Sequence, residues 1–514
     1  MHSNLSLFIK KNKNRIWALG LTIPIIGSAA GCGASSAELP QESPEKILSS
    51  EEVKLSYEAP TQIPRILIDQ VGYDIDSEKA VVFSEEGLSG NFYVCELETG
   101  IPVYTGTILK GQGHFTDLKE EGSYYIYTDE VGESYSFSIK EDIYGEVFNR
   151  ACKKYYINRC GLALSENYAG ENAHSACHTT MAKLQEDPDT QIDVSGGWHM
   201  DEQARRDTKL GSRIAENLLL AYEMNPDPFS DESGIPESGN GIPDILDEVR
   251  YEVEWLLKMQ DAKTGGEYGA AVTDSTNGAD LFAAPVFVTP TDLEATVSFA
   301  AAAARFSYIY QQYDAEFATT CLKAADRAWT CYLNNQKPIE NTASFEAAAQ
   351  LYRATGAENY HQVLEQFFEK SDFDSLFDTD ENIFMGGVTY LSINKAVDVE
   401  RCTALMKLLM KRSEQIASDA SKSPYLVTDA ESSGRFDRML DDMRCLTITD
   451  HIIYNHEYTT IIENHAHFLM GMNPDAINFI SDDTERTYET AGTTGVLGDP
   501  ESDALFIFML SVII

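Results

Sequence analysis

The sequence predicts a small all-β module followed by a large all-α domain, both behind an export leader. Three observations carry this reading. Short β-branched and aromatic runs punctuated by glycine-bearing turns fill residues 63–140, and long segments with apolar residues at three- and four-residue spacing dominate residues 144–514. A basic, then apolar, then small-residue stretch opens the chain.

In the leader, Lys10, Lys11, Lys13 and Arg15 precede the apolar run Ile16 to Ile26, which is too short to span a bilayer as a helix. Residues 1–32 therefore read as a signal peptide. Gly27-Ser28-Ala29-Ala30-Gly31 leads into Cys32, an arrangement similar to the bacterial lipobox, whose cysteine is acylated after cleavage, although Ala29 stands where leucine is usual. Two readings stay open: a lipoprotein held at the bacterial cell surface through Cys32, or a secreted protein with an incidental cysteine. Both take the chain out of the cytoplasm. Residues 33–62 are rich in Ser, Pro, Glu and Ala with little hydrophobic periodicity, the composition of a flexible linker.

The 514 residues carry 82 Asp and Glu against 39 Lys and Arg, a net charge of −43 at neutral pH. This excludes nucleic acid as a partner, because neutralising phosphates takes Lys and Arg. Anionic bilayers are disfavoured on the same ground, which leaves the lipid anchor as the route to a membrane. The length calls for two domains or more, and 43% hydrophobic residues suffice for packed interiors. A monomer is expected.

Within the β module, Arg65–Ile68, Ala80–Phe83, Asn91–Cys95, Ser123–Tyr127 and Ser134–Ile139 are the strand-like runs. Glu98-Thr99-Gly100, Glu120-Glu121-Gly122 and Val131-Gly132 supply turns between them, and such spacing implies a sandwich. The module holds no catalytic constellation, so its expected role is to pack against the helical domain. In that domain the predicted helices include Leu210–Glu223, Asp244–Gln260, Leu293–Tyr313, Ala315–Leu333, Asp398–Ser418, Tyr458–Gly471 and Ala504–Ile514. Small faces such as Ala300 to Ala304 suit close helix packing. About a dozen helices exceed what a four-helix bundle can absorb and point to a closed array of helical hairpins.

The most specific chemical signal lies at the entrance to the helical domain. Cys160, the pair Cys177-His178, and His199 after Gly196-Gly197-Trp198 supply two thiolates and two imidazoles, the donor set of a closed tetrahedral zinc site. In an exported protein a Cys160 to Cys177 disulfide is the competing reading.

Six segments together carry a resemblance: Asp69-Gln70-Val71-Gly72-Tyr73; Arg159-Cys160-Gly161; His174 to His178; Asp193 to His199; Glu237-Ser238-Gly239-Asn240-Gly241-Ile242-Pro243-Asp244-Ile245-Leu246-Asp247-Glu248; and Leu351 to Gly356. In this order they resemble glycoside hydrolase family 9, in the subgroup with an N-terminal immunoglobulin-like domain, over Ile63 to Pro474. The resemblance implies an all-β immunoglobulin-like sandwich followed by an all-α (α/α)6 barrel, a cleft at one barrel end, and action on β-1,4-glucans such as cellulose with inversion at the anomeric carbon. It also implies that Cys160, Cys177, His178 and His199 hold a structural zinc. Calcium is common in that family, with no ligands assignable here.

Inverting hydrolysis needs one carboxylate to activate water and one carboxyl group to protonate the leaving oxygen. The family takes the first from an Asp-Ala-Gly-Asp run directly after the Gly-Gly-Trp segment and its next residue. Here Met200-Asp201-Glu202-Gln203 stands in that place, so both aspartates are replaced, by Met200 and Gln203. Neither replacement can take a proton from water. Asp201 and Glu202 are one position away, where neighbouring side chains diverge, so each is a candidate base only after a local shift and otherwise a solvated loop acid. The family's distal His-His-Arg and Asn-Glu-Val-Ala-Ile segments have no clear counterpart. No histidine follows His467, and Glu501 is the nearest candidate acid, with a helix-start role competing.

Sugar clefts are lined by flat rings. Of four tryptophans, Trp17 lies in the leader, Trp255 and Trp329 suit core packing, and Trp198 is the one placed by motif near substrate. Two functions of different class remain: a surface-anchored cellulase-like hydrolase with displaced carboxylates, or an inactive scaffold that binds glycan or a partner. Ordinary activity is expected to be weak or absent.

Overall fold

The computed structural model describes residues 56–276, 280–430, 436–480 and 497–514. Cys32, the leader and most of the linker lie outside the described residues.

Residues Ile66 to Ile139 form two small facing sheets. One has the order β1 (Ile66–Leu67), β2 (Ala80–Phe83), β5 (Gln112–His114), and the other β4 (Pro102–Ile108), β3 (Gly90–Glu96), β6 (Gly122–Thr128), β7 (Gly132–Glu133), with β8 (Phe137–Ile139) also paired to β6. Alternation sends Phe92, Val94 and Ile126 inward onto Ile66, Val81, Phe83 and Tyr73, all buried. Strands β4 and β5 have no counterpart among the strand-like runs of the sequence, because β4 is solvated over most of its length and carries no apolar alternation.

The helices of the second domain are α1 (Ile143–Ile157), α2 (Glu166–Ala169), α3 (Thr208–Met224), α4 (Asp244–Lys258), α5 (Leu293–Tyr310), α6 (Ala315–Asn335), α7 (Ala343–Thr355), α8 (Glu358–Phe368), α9 (Phe373–Thr379), α10 (Glu381–Leu391), α11 (Val399–Ala420), α12 (Asp437–Ile452), α13 (His456–Leu469) and α14 (Pro500–Leu510). Helices α3, α5, α7, α10, α12 and α14 form an inner ring, and each packs against an outer neighbour from α4, α6, α8, α11, α13 or α1. The result is an (α/α)6 barrel. Composition decides which helix goes where: α14 is buried from Ser502 through Leu510, whereas α11 buries only one stripe, from Leu405 to Ala420.

The helical domain departs from the all-α expectation. Its connecting loops carry a five-stranded sheet ordered β10 (Gln191–Ile192), β9 (Ala182–Leu184), β14 (Val286–Val288), β13 (Ala270–Thr273), β11 (Arg206–Asp207), and a pair β12 (Glu267–Tyr268) with β15 (Thr291–Asp292). Strands of two to four residues are too short to show a period. They matter because β11 and β15 run straight into the inner helices α3 and α5.

The inner helices begin at one shared end. Asp207, Asp292, Asp380 and Asp499 cap α3, α5, α10 and α14 by accepting from the N–H groups of Leu210, Ala295, Ile383 and Ser502 at 2.8–3.0 Å. Side chains tie these starts together: Thr342 donates to Asp380 at 2.8 Å, Lys209 meets Glu294 at 3.3 Å, and Arg213 of α3 contacts both Glu381 of α10 and Glu501 of α14.

The sandwich docks on the barrel through the Asp69–Tyr73 segment. The Gln70 N–H donates to Met470 O at 2.9 Å, its side chain to Ala476 O at 2.6 Å, and Tyr144 Oη to Gly72 O at 3.1 Å. Gly72 has φ +126, and a Cβ there would stand 2.2 Å from Ser138 O, so the docking turn requires glycine.

Candidate active site and metal centre

Cys160, Cys177, His178 and His199 converge as the donor set suggested: all are buried, and their ligand atoms lie within 4.8 Å of one another. Cys160 Sγ is 3.4 Å from His178 Nδ1 and 3.8 Å from Cys177 Sγ, and Cys177 Sγ is 3.8 Å from His199 Nε2. A disulfide needs about 2.05 Å, so these sulfurs are not bonded. Two sulfurs about 2.3 Å from a tetrahedral ion would stand about 3.8 Å apart. The hydrogen bond between the two thiols pushes Cys160 up and Cys177 down, so they share a proton that a dication would release.

Surrounding groups orient the donors. His178 Nε2 donates to Leu281 O at 3.0 Å, which leaves Nδ1 facing the sulfurs. His178 has φ +47, a left-handed backbone held by its N–H bond to Phe282 O at 3.1 Å. Among the described residues this is the only group of three or more His, Cys, Asp or Glu donors placed to share an ion.

The loop after His199 folds back on itself. The Met200 N–H donates to Arg205 O at 2.8 Å, and Asp201 Oδ1 accepts the N–H groups of Gln203 and Arg205 at 3.0 and 2.9 Å. Asp201 is therefore committed to holding its own turn, while Glu202 and Gln203 are exposed at the tip. Met200 is buried, its methyl against Gly211 of α3 beside the Glu252 carboxyl. Desolvation pushes Glu252 up to about 8, and the neutral carboxyl still accepts the Trp198 N–H at 2.8 Å.

Trp198 departs from the sequence expectation. It is 0% exposed, with its ring 4.7 Å from Tyr155, and presents no face to a sugar. Its motif position beside the cleft is backbone deep. Trp255 and Trp329 are core residues as expected.

A hollow of about 340 Å³ opens at the barrel mouth, lined by Met200, Asp201, Arg205, Asp207, Lys209, Leu210 and Arg213. A second of about 410 Å³ shares Arg205, Asp207 and Lys209 and continues over Gly269, Thr289–Asp292 and Ala295. Together they form a groove across the starts of α3 and α5. Glu501 lines neither hollow but lies 2.7 Å from Arg213, which lines the first, with burial raising its carboxyl above the usual range and Arg213 opposing. Its position in the first turn of α14 fits a helix-start acid, and its pairing with Arg213 adds a role that spacing did not show. Sequence reasoning missed Arg213, Glu381 and Arg444 altogether. They are ordinary charged residues on amphipathic patterns, and only the approach of Arg213 to Glu381, 168 positions away, brings them together.

A two-sheet module docked on an (α/α)6 barrel with a polar groove at one mouth is the frame of a barrel-type glycan hydrolase. Residues 144–490 match Glycosyl hydrolase family 9, and residues 61–133 match the cellulase N-terminal ig-like domain. The chain belongs to glycosyl hydrolase family 9. It is 29% identical over 367 residues to Endoglucanase D of Acetivibrio thermocellus, covering 64% of this chain and 58% of that one, so it spans less than two thirds of that relative. It is 25% identical over 476 residues to a cellodextrinase of Butyrivibrio fibrisolvens, covering 83% of this chain and 86% of that one. In fold it is similar to a metagenome-derived family 9 endoglucanase, with a TM-score of 0.76 at 21% identity, covering 87% and 98% of the two chains. A thermostable endoglucanase from Alicyclobacillus acidocaldarius gives a TM-score of 0.76 at 20% identity, covering 88% and 99%.

Proposed function

We propose that this protein is exported, held at the cell surface through an acylated Cys32, and engages β-1,4-glucan in the groove over α3 and α5, with the ordinary inverting chemistry of its family weak or lost. One observation carries the reading. Met200 stands in the wall of the hollow where the family has a carboxylate, and the neighbouring Asp201 spends one oxygen on two backbone N–H groups. General-base assistance is worth about 10² to 10⁴ in rate, so removing it leaves a glucan site with little turnover of the usual kind. The inactive-scaffold reading has its own support in Glu501, whose contact with Arg213 opposes its use as a free acid.

Zinc is the ion proposed for Cys160, Cys177, His178 and His199, because two thiolates and two imidazoles suit it and their spacing matches a tetrahedral edge. Bound there it would supply a cross-link and no chemistry on glucan. The chain's own part is to hold the Gly196–His199 segment: Trp198 N–H on Glu252 and the Arg206 guanidinium on Val194 O and Gly196 O fix the wall from which Met200 projects.

The test is the double change Met200→Asp with Gln203→Asp, assayed on soluble β-glucan beside the parent, with cello-oligosaccharide affinity measured for both. The reading expects binding by both proteins and a gain of turnover in the variant. A parent that neither binds nor hydrolyses β-1,4-glucan would sink it.

A further inference from the structure

We propose that the groove over α3 and α5 takes an anionic β-1,4-glucan, one whose sugar units bear carboxylate groups, and that Arg205, Lys209 and Arg213 recognise those groups. This rests on the reading that the groove takes a β-1,4-linked backbone, and it names the member of that class which fits.

Cations are concentrated in the lining. The chain has only 39 Lys and Arg against 82 Asp and Glu, yet Arg205, Lys209 and Arg213 all line the 340 Å³ hollow, and the 410 Å³ hollow shares the first two. Their side chains are 43%, 45% and 38% exposed, so each is open to a ligand. No aromatic ring lines either hollow among the described residues. A neutral glucan offers flat apolar faces that rings cover, so this lining lacks the usual grip on one.

The carboxylates of the lining are already engaged. Asp201 Oδ1 accepts the N–H groups of Gln203 and Arg205, Asp207 accepts the Leu210 N–H on one oxygen and Arg205 Nη2 at 2.8 Å on the other, and Asp292 Oδ1 accepts the Ala295 N–H. The cations are less used. Among the described residues the Arg205 guanidinium bonds through Nη2 alone, Lys209 Nζ has one contact, Glu294 at 3.3 Å, and Arg213 commits one nitrogen, Nη2, to Glu381 and Glu501. Those three glutamates lie outside both hollows, and Asn341 also holds Glu294. Arg213 Nε is buried without a partner. The unspent hydrogen-bonding capacity of the lining is chiefly N–H donor, which suits a carboxylate. The starts of α3 and α5 add the positive ends of two helix dipoles.

Distance reconciles this site with a chain of net charge −43. Charges further off than about 8–10 Å are screened at physiological ionic strength, so a carboxylate seated in the hollow feels the three cations while remote surface acids are damped. Lys209 and Arg213 are four residues apart on α3, about 6 Å along its axis, a step comparable to one sugar unit. Carboxylates on neighbouring sugars therefore meet cations in turn. A nucleic acid would continue past the groove over acidic surface and is still repelled.

The experiment is calorimetry on the full chain with cellotetraose, β-1,4-linked tetraglucuronate and an O-carboxymethylated cellotetraose, at low and at physiological salt. A carboxylate-bearing probe should bind about tenfold or more tighter than cellotetraose, and its affinity should fall as salt rises. General repulsion by an acidic chain would give the opposite salt dependence. Whichever anionic probe leads tells whether the carboxylate sits at C6 or on an ether arm. Arg205→Gln and Lys209→Gln should each lower the ratio of anionic to neutral affinity about threefold or more, and Lys209→Glu should lower it further, with thermal melting showing that each variant is folded. Cellotetraose binding as tightly as both anionic probes, an anionic affinity that rises with salt, or a ratio untouched by all three variants overturns the anionic class while leaving the β-1,4-glucan reading of the groove standing. Absence of binding by all three probes removes the groove reading and the class together.

Discussion

Asp69 of the β module and His467 of α13, 398 positions apart, meet at 2.9 Å with both side chains wholly buried. His467 Nε2 donates to Glu78 O at 3.1 Å, which leaves Nδ1 facing the Asp69 carboxyl, with Tyr144 Oη also 3.3 Å from it. Asp69 Oδ1 also accepts the N–H groups of Val71 and Gly72 at 2.8 and 3.0 Å. The Asp-Gln-Val-Gly-Tyr segment thus supplies the buried polar contacts of the domain junction, beside the apolar packing of Leu67, Ala80 and Val82 on Met472 and Ala476.

The first prediction comes from this pair. Asp69→Ala removes the carboxylate partner of a buried imidazole, whose Nδ1 keeps only Tyr144 Oη at 3.3 Å, and leaves the N–H groups of Val71 and Gly72 without their acceptor, which costs about 3 kcal/mol. Urea unfolding should show a lower midpoint and a separate early transition for the β module. A single transition at the parental midpoint would refute it.

The second concerns the metal. Protein refolded after chelator washing should take up one zinc per chain by elemental analysis, and removing the ion should lower the melting temperature because metal binding is coupled to folding. Cys160→Ser should abolish stoichiometric uptake. Mass spectrometry of the metal-loaded protein should find both thiols free. A Cys160 to Cys177 disulfide with no zinc would defeat the assignment.

What the sequence revealed and what it hid divides along range. The donor set was legible because chemistry alone limits what two cysteines and two histidines do when gathered near one loop. Helices were legible to within a few residues where one face is buried, as for Asp244–Gln260 against the observed Asp244–Lys258. The small sheet in the barrel loops was hidden because strands such as Arg206–Asp207 are shorter than one period of alternation. The mouth network was hidden for a different reason. Glu381 and Glu501 each come one or two positions after an aspartate cap and look like acids favoured by the helix dipole; only ring closure makes them neighbours. Trp198 misled because sequence order places a residue near a cleft without saying on which side of the backbone its ring lies.

The third prediction tests the motif turn. Gly197 has φ +75, and a Cβ there would stand 2.6 Å from the Trp255 ring. Gly197→Ala should cost about 3 kcal/mol through backbone strain and overpacking together. Gly239→Ala, with φ +90 and open space around it, should cost only about 1 kcal/mol from the backbone. Equal losses at the two sites would show that the Trp255 contact is slack.

The last prediction is a pH dependence of stability. Desolvation raises three buried glutamates from 4.5, Glu216 and Glu248 to about 7 and Glu252 to about 8. Between the unfolded and folded values the native state binds more protons than the unfolded chain, so stability falls as pH rises. It is fully present below about pH 4.5 for these groups and is lost by about pH 8. The melting temperature should therefore decline from pH 5 to pH 8. General repulsion in a chain of net charge −43 acts in the same direction, so a single residue must isolate the effect. Glu252→Gln keeps an acceptor for the Trp198 N–H at 2.8 Å and removes the titration. It should leave the protein near parental stability at pH 5, make it more stable than the parent at pH 8, and flatten the curve between. A Glu252→Gln variant whose curve runs parallel to the parent's would show that Glu252 is ionised in the fold at neutral pH.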